Sequence, residues 1–425
     1  MAPDAAAPHN WYQRLPFFYG WIITVSALVM LWVTNGLTLG GLTVFDEVLL
    51  EELGVSRGRF KFRDTITLVG AGLLAPLVGA FVDRFGVRPA MIIGVLVIAW
   101  GLYDYSRVDS LMDVYRIHAL FALGLACAGL LVNVMLVSKW FISGRGIAIG
   151  IALSGSSFGN ALFPQLNTWL LEHEGWREAF TRISLLPFAL LLLIVFVIRE
   201  RPERVGLLQR GASPKNEKGT SAAADDGAEN AGGMSYGEAL RSLNFWILAI
   251  MGVASFYSIM ACITHLFLYL RELGAATSMA TSAISVVFLL GLAGKVGTGF
   301  GADFFGRRAM TLVTLGLMAG GAWLLLSGTG APFWVGLAAF GFGWGGIYML
   351  IQLLAADTFG LRALGRILGT LTVMESAAGG LGPWVTGLLY DASGGYQLPF
   401  MFLATLLSIA LVAASRFRLP AAAVA

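Results

Sequence analysis

Long apolar runs, broken by charge, by Gly/Pro clusters or by turns, recur along the whole chain. They predict twelve helices, at 18–43, 62–82, 89–106, 114–138, 145–171, 177–198, 243–271, 278–301, 308–328, 332–356, 363–389 and 396–416. Each run can cross about 30 Å of hydrocarbon as a helix, the conformation that satisfies its own backbone hydrogen bonds where no water is available. The first run follows a polar start and lacks a small-residue cleavage site, so it predicts a retained helix rather than a removed signal peptide. Between the sixth and seventh runs, Arg199 to Arg241 is rich in Gly, Ala, Ser and charge, which predicts a linker. The expected organisation is a cytoplasmic segment 1–17, a six-helix bundle 18–198, a cytoplasmic linker 199–242, a second six-helix bundle 243–416 and a cytoplasmic tail 417–425.

Composition narrows the class. Of 425 residues, 57% are apolar and 12% charged, and a soluble fold of this size carries about twice that charge. The chain is therefore read as an all-α membrane protein, with the lipid bilayer as its surroundings. Its basic residues are scattered over loops, which excludes a nucleic-acid partner. Most of them, among them Arg84, Arg88, Lys139, Arg145, Arg199 and Arg307, fall on the side that would hold both termini and the linker. The positive-inside rule then predicts a multi-pass protein of the cell inner (plasma) membrane with both termini in the cytoplasm. Cys127 and Cys262 lie inside apolar runs, so no disulfide or metal framework is expected. No Walker motif, metal-ligand cluster or nucleophile–base constellation is visible. The expectation is no enzyme, no cofactor and no ATP-driven pump, leaving an ion gradient as the energy source.

The two halves repeat each other. Gly79-x-x-x-Asp83-Arg84-x-Gly86-x-Arg88 returns 220 residues on as Gly299-x-x-x-Asp303-Phe304-x-Gly306-Arg307-Arg308, and Arg145, Pro164 and Gly175-Trp176 find counterparts in Arg366, Pro383 and Gly395-Tyr396. Parallel repeats about a linker predict two pseudo-symmetric six-helix bundles that rock about a site at their interface. The Asp-Arg-x-Gly-x-Arg loop, its degenerate copy and the twelve-span layout resemble the major facilitator superfamily over nearly the whole chain. More narrowly, Trp140-Phe141-x-x-x-Arg145-Gly146-x-Ala148-x-Gly150, Gly175-Trp176-Arg177 and Gly294-Lys295-x-x-x-Gly299-x-x-x-Asp303 resemble the monocarboxylate porters, whose bacterial relatives include the oxalate/formate antiporters.

Two intramembrane charges stand out, since an ionisable group deep in a helix costs about 2.5–3.5 kcal/mol and needs a partner or a task. Lys295 lies in span eight and Glu375 near the middle of span eleven. The resemblance implies that the position of Lys295, usually an arginine, binds a substrate carboxylate. It also implies that Glu375 stands where the oxalate carriers have a lysine. The two can neutralise each other across the helices and lock the second bundle, and, compatibly with that, a carboxylate that competes for Lys295 can open the pair and leave Glu375 to take up a proton. Trp344 and Tyr348 share one face of span ten, at positions where the resemblance implies substrate-caging aromatics, with a lipid-facing or packing pair as the plainer account, and Gln352 continues that face one turn on. Gly40, Leu130 and Ser156 replace aromatics of those relatives, which predicts a roomier cavity and a cargo larger than oxalate or formate.

Asn35, Ser156 and His265 are further candidate substrate contacts, with interhelical hydrogen bonding or packing as the plainer account of Asn35 and His265. His118 and His265 are both read as possible proton relays or packing histidines. Asp64 is a second candidate for proton coupling. It begins span two beside Lys61 and Arg63, read either as an outer gate or as an interfacial pair that snorkels to water. Asp83, Arg84, Arg88, Arg145 and Asp303 are the candidate gating residues, with Asp83 expected to pair with Arg145 when the cytoplasmic side closes. The expected function is secondary active transport of an organic anion by alternating access, monocarboxylate-like or zwitterionic, as a monomeric proton-coupled symporter of a small organic acid and protons. The alternatives are an exporter or antiporter of amphipathic molecules and, third, a non-transporting ligand sensor.

Overall fold

The computed structural model of the chain describes residues 16–205, 207–210, 233–360 and 362–418. Residues 1–15, most of the expected linker and the last residues of the expected tail lie outside the described residues.

The first half comprises α1 (Gly20–Thr38), a 3₁₀ turn (Gly40–Phe45), α2 (Asp46–Leu53), α3 (Arg57–Phe85), α4 (Val87–Tyr105), α5 (Leu111–Ala128), α6 (Leu130–Ser138), α7 (Arg145–Glu174), α8 (Trp176–Ile183) and α9 (Leu186–Leu192). The second comprises a short α10 (Tyr236–Arg241), then α11 (Leu243–Glu272), α12 (Thr277–Phe305), α13 (Arg307–Leu324), α14 (Ala331–Phe359), α15 (Leu364–Ser393) and α16 (Gln397–Ser415).

Every apolar run is helical, with three refinements. The first run does not stop near 43 but turns through Gly40-Gly41 into α2. The fourth breaks at Gly129, where Asn133 Nδ2 donates to the freed carbonyls of Ala128 and Gly129, 2.8 Å each. The sixth breaks near Ser184, ahead of Pro187. Among the described residues, eleven helical segments are long and apolar enough to cross a membrane. α15 has the length but a more polar composition, with Thr370, Thr372, Glu375, Ser376 and several glycines. It is held by packing between α3 and α11 rather than by its own hydrophobicity.

Within each half, small residues let backbones meet. A Cβ on Gly155 or Gly159 of α7 would lie 2.1 Å from the Leu28 and Trp32 carbonyl oxygens of α1, and one on Gly345 of α14 would lie 2.0 Å from the Gly291 carbonyl of α12. The repeat seen in sequence is repeated in backbone: Gly86 (φ 95°) and Gly306 (φ 84°) make the same left-handed turn between successive helices, a conformation open to glycine.

The halves touch unevenly. Take the face carrying the described chain ends as the termini face and the other as the distal face. At the distal face, Asp391 of α15 accepts from the backbone N–H of Arg57 (3.0 Å) and Gly58 (2.8 Å), Arg57 pairs with Glu272 (3.0 Å), and Arg271 pairs with Glu47 (2.7 Å). Deeper, Thr65 donates to the Gly380 carbonyl (2.7 Å), and the Thr168 and Thr281 hydroxyls share a hydrogen bond (2.8 Å). The innermost hydrogen bond between the halves among the described residues joins Lys295 of α12 to Ser157 of α7. Beyond it, towards the termini face, a Cβ on Gly72, Gly79, Gly146, Gly150, Gly365 or Gly369 meets nothing within 4 Å. The halves close at the distal face and part towards the termini face.

Candidate functional site

Lys295 sits where that parting begins. Its Nζ donates to Ser157 Oγ at 3.3 Å and lies 5.7 Å from the centroid of the Trp344 ring on α14. Among the described residues it forms no ion pair, and the Lys295–Glu375 pair weighed from sequence is not made. The reason is the direction of Glu375, which is 3% exposed and turned onto α11. There Gly252 has no side chain, and a Cβ on it would lie 2.5 Å from Glu375 Oε1. The carboxyl is near enough to the Tyr348 hydroxyl to act on it electrostatically, and the side chains of Gln352 and Thr372 share that neighbourhood.

One face of α14 thus joins the two charges. Trp344 faces Lys295 and packs edge-on against Phe288, with ring centroids 5.9 Å apart. One turn on, Tyr348 faces Glu375 and meets Phe256 edge-on at 5.7 Å, while remaining 43% exposed. Tyr348, Thr372 and the partly buried Lys295 and Gln352 are polar groups of this set that a small anion could reach.

From the first half, Asn35 Nδ2 donates to Ser156 Oγ at 3.0 Å, beside the Ser157 that holds Lys295. The structure therefore brings Asn35, Ser156, Lys295 and Trp344 together, with Tyr348, Gln352 and Glu375 one helix turn away. Gly40 corrects the reading of a roomier cavity. It is buried, its N–H donates to Asn160 Oδ1 at 2.6 Å, and a Cβ there would strike the same atom, so Asn160 fills the space that glycine leaves. His265 is fully buried away from this set. Its Nε2 donates to the Pro383 carbonyl (2.8 Å), which leaves Nδ1 to accept from the Tyr396 hydroxyl (3.0 Å).

The largest departure from sequence concerns Lys61, Arg63 and Asp64. An interfacial pair reaching for water is overturned: Lys61 and Arg63 have 0% and 1% exposure, and both close on Asp46, which is also fully buried. Lys61 Nζ also donates to the Thr264 carbonyl of the other half, and Asp64 stands 3.7 Å from Lys61 and 3.5 Å from Arg63. Arg63 continues to Tyr105 (3.1 Å), whose hydroxyl meets His118 Nε2 (3.1 Å), while Thr67 meets His118 Nδ1 (2.8 Å). Asp46 escaped the sequence reading because it lies just past the first apolar run. The available signal was an acid between the first two runs, ahead of the Lys61, Arg63 and Asp64 group where the second run begins.

The gating residues are apart. Asp83, Arg84, Arg145 and Asp303 are exposed, and Arg145 Nε donates to its own loop at the Phe141 carbonyl (2.8 Å). The expected Asp83–Arg145 contact is not made among the described residues: Asp83 is exposed, and Arg145 is turned onto its own loop. Arg88 donates to the Ile194 and Val195 carbonyls (3.2 and 2.9 Å), and Arg307 pairs with Asp357, a partner not foreseen from sequence.

Comparison with known proteins fits this architecture. The sequence model of the Major Facilitator Superfamily matches residues 17–383 and again 270–424. The oxalate:formate antiporter of Oxalobacter formigenes is 27% identical over 88% of this chain and 88% of its own. Monocarboxylate transporter 6 of Homo sapiens is 26% identical over 91% of this chain and 78% of its own. Among solved structures, a bacterial homolog of the human lysosomal transporter Spinster superposes with a TM-score of 0.71 at 16% identity, covering 94% of this chain and 98% of that one. The twelve-helix repeat, the helix-to-helix turns at Gly86 and Gly306 and the family match lead to one conclusion: this multi-pass membrane protein belongs to the major facilitator superfamily.

Proposed function

We propose that the protein carries a small organic monoanion by alternating access, coupled to protons. The observation that carries this reading is Lys295, a cation at the apex of the parting between the halves, held by one neutral hydroxyl at 3.3 Å and by no carboxylate among the described residues. A carboxylate arriving from the termini face finds an ammonium without a counter-ion, with the Trp344 and Tyr348 faces beside it. A charge-assisted hydrogen bond of this kind is worth about 1.5–3 kcal/mol. The relatives named as oxalate:formate and monocarboxylate transporters support an organic acid as the cargo.

Glu375 supplies the proton site in this reading. It is buried, with no cationic partner among the described residues, so carrying it charged through the transport cycle is costly, and protonation relieves that cost. Lys295 and Glu375 are joined through Trp344 and Tyr348 on one helix, so anion entry and proton entry act on the same element. The distribution of Lys and Arg supports cytoplasmic termini in the inner membrane, which makes the described state the one open to the cytoplasm.

The test is uptake of radiolabelled monocarboxylates into proteoliposomes under an imposed pH gradient. Lys295→Gln is expected to raise the Kd for the anion about tenfold or more. Glu375→Gln is expected to keep anion exchange at zero gradient while losing accumulation driven by the gradient. Accumulation by Glu375→Gln equal to that of the parent removes the coupling role. Extrusion of amphipathic compounds with no anion uptake replaces the whole reading by export.

A further inference from the structure

We propose that the corner formed by the start of α11, the start of α13 and the end of α16 is a binding site for the phosphodiester headgroup of an anionic phospholipid. A cavity of about 790 Å³ opens there, walled by Ser242, Asn244, Arg308, Ser415, Arg416 and Arg418 among others. Arg308 is aimed by its hydrogen bond to the Ser415 carbonyl (2.9 Å), and Asn244 ties down the Arg418 backbone (2.8 and 3.4 Å). Three arginines line this one cavity, and no ion pair joins any of them to a carboxylate among the described residues.

The internal repeat supplies the control. Arg88, 220 residues before Arg308, makes the same bond to the matching carbonyl, Val195, at 2.9 Å. In that corner the protein provides its own anion. Glu200 is 8% exposed, accepts from the Val87 N–H at the start of α4 (3.4 Å), pairs with Lys139 (3.2 Å) and lies over Gly86, where a Cβ would sit 2.7 Å from its Oε2. At Gly306, the counterpart of Gly86, a Cβ meets nothing within 4 Å. No described carboxylate stands where Glu200 stands, while Arg308 keeps the place of Arg88, and Arg416 and Arg418 stand beside it. The two repeats have the same frame, and the second leaves the anion to come from outside.

The apolar surroundings select a lipid over a free anion. α11 and α16 also wall an entirely apolar groove of about 380 Å³ that begins one turn deeper, at Trp246, and continues past Ile250, Val253, Leu406 and Ile409. Arginines at the membrane boundary with an acyl-sized groove on the same two helices match a molecule with a phosphate at one end and a chain at the other.

The experiment uses the full chain purified in detergent, with native mass spectrometry reading retained lipid. Phosphatidylglycerol is compared with phosphatidylcholine and with inorganic phosphate. Phosphatidylglycerol is expected to be retained at least about tenfold over phosphatidylcholine, since each basic residue near a membrane surface favours an anionic headgroup roughly fivefold. The triple variant Arg308→Gln/Arg416→Gln/Arg418→Gln is expected to lose that preference while unfolding at the parent temperature in phosphatidylcholine alone. Should it fold poorly, Arg308→Gln alone is expected to lower the preference about fivefold. Val253→Trp, which fills the groove, is expected to lower phosphatidylglycerol retention with the arginines intact. Equal retention of the two lipids, or a preference untouched by the arginine variants, overturns the site. Full displacement by inorganic phosphate, with Val253→Trp silent, assigns it to a free anion and overturns the lipid.

Discussion

Asp46 holds two cations that have left water. With Lys61 and Arg63 both below 2% exposure, removing their shared partner leaves uncompensated buried charge, a change that costs about 3–5 kcal/mol. Asp46→Asn is therefore expected to lower thermal stability in detergent by that order, whereas Glu47→Gln, on a partly exposed pair with Arg271, is expected to change it by less than about 1 kcal/mol. Equal effects of the two would show that the buried network contributes nothing special. At this scale the sequence was legible in part. Lys295 and Glu375 announced themselves as ionisable groups inside apolar runs. Asp46 did not, because it lies beyond the first run and only the 3₁₀ turn at Gly40–Phe45 brings it back beneath α3. Gly252 was also silent, since its importance lies in the absence of a side chain against Glu375.

The elements depend on close backbone approach as much as on apolar length. α7 meets α1 through Gly155, where a Cβ would stand 2.1 Å from a carbonyl oxygen of the partner helix. Backbone cannot yield as a flexible side chain can, so Gly155→Val is expected to destabilise by about 1–3 kcal/mol. Gly146→Ala, where a Cβ meets nothing, is expected to leave the unfolding temperature close to that of the parent. Thermal unfolding of the two variants side by side checks the contrast. The twelve apolar runs were legible as helices, with ends displaced by a few residues, whereas α2 and α10 fell outside the runs. The breaks at Gly129 and Ser184 were not, because a run that bends remains equally apolar. α15 was legible from its length and its neighbours' pattern, although its composition is the least membrane-like of the set.

For the whole molecule, the distal links define a state in which one face is shut and the other open. Thr168 and Thr281 face each other across the halves with their hydroxyls 2.8 Å apart, on the helix pair that carries Ser157 and Lys295 further in. Cysteines at both positions are expected to cross-link under mild oxidation, abolish transport and recover it on reduction. Full transport by the cross-linked protein would mean that these helices do not separate during the cycle. The residue pattern by itself determined the membrane, the helices and the repeat, because hydrocarbon forces each span to satisfy its own backbone and duplicated motifs keep their spacing. Only the tertiary structure decided which charges meet. Lys295 turned to Ser157, Glu375 to Gly252, and Lys61 with Arg63 to Asp46, because side-chain partners depend on how helices far apart in the chain are rotated and staggered against one another, and on which end of the bundle is closed.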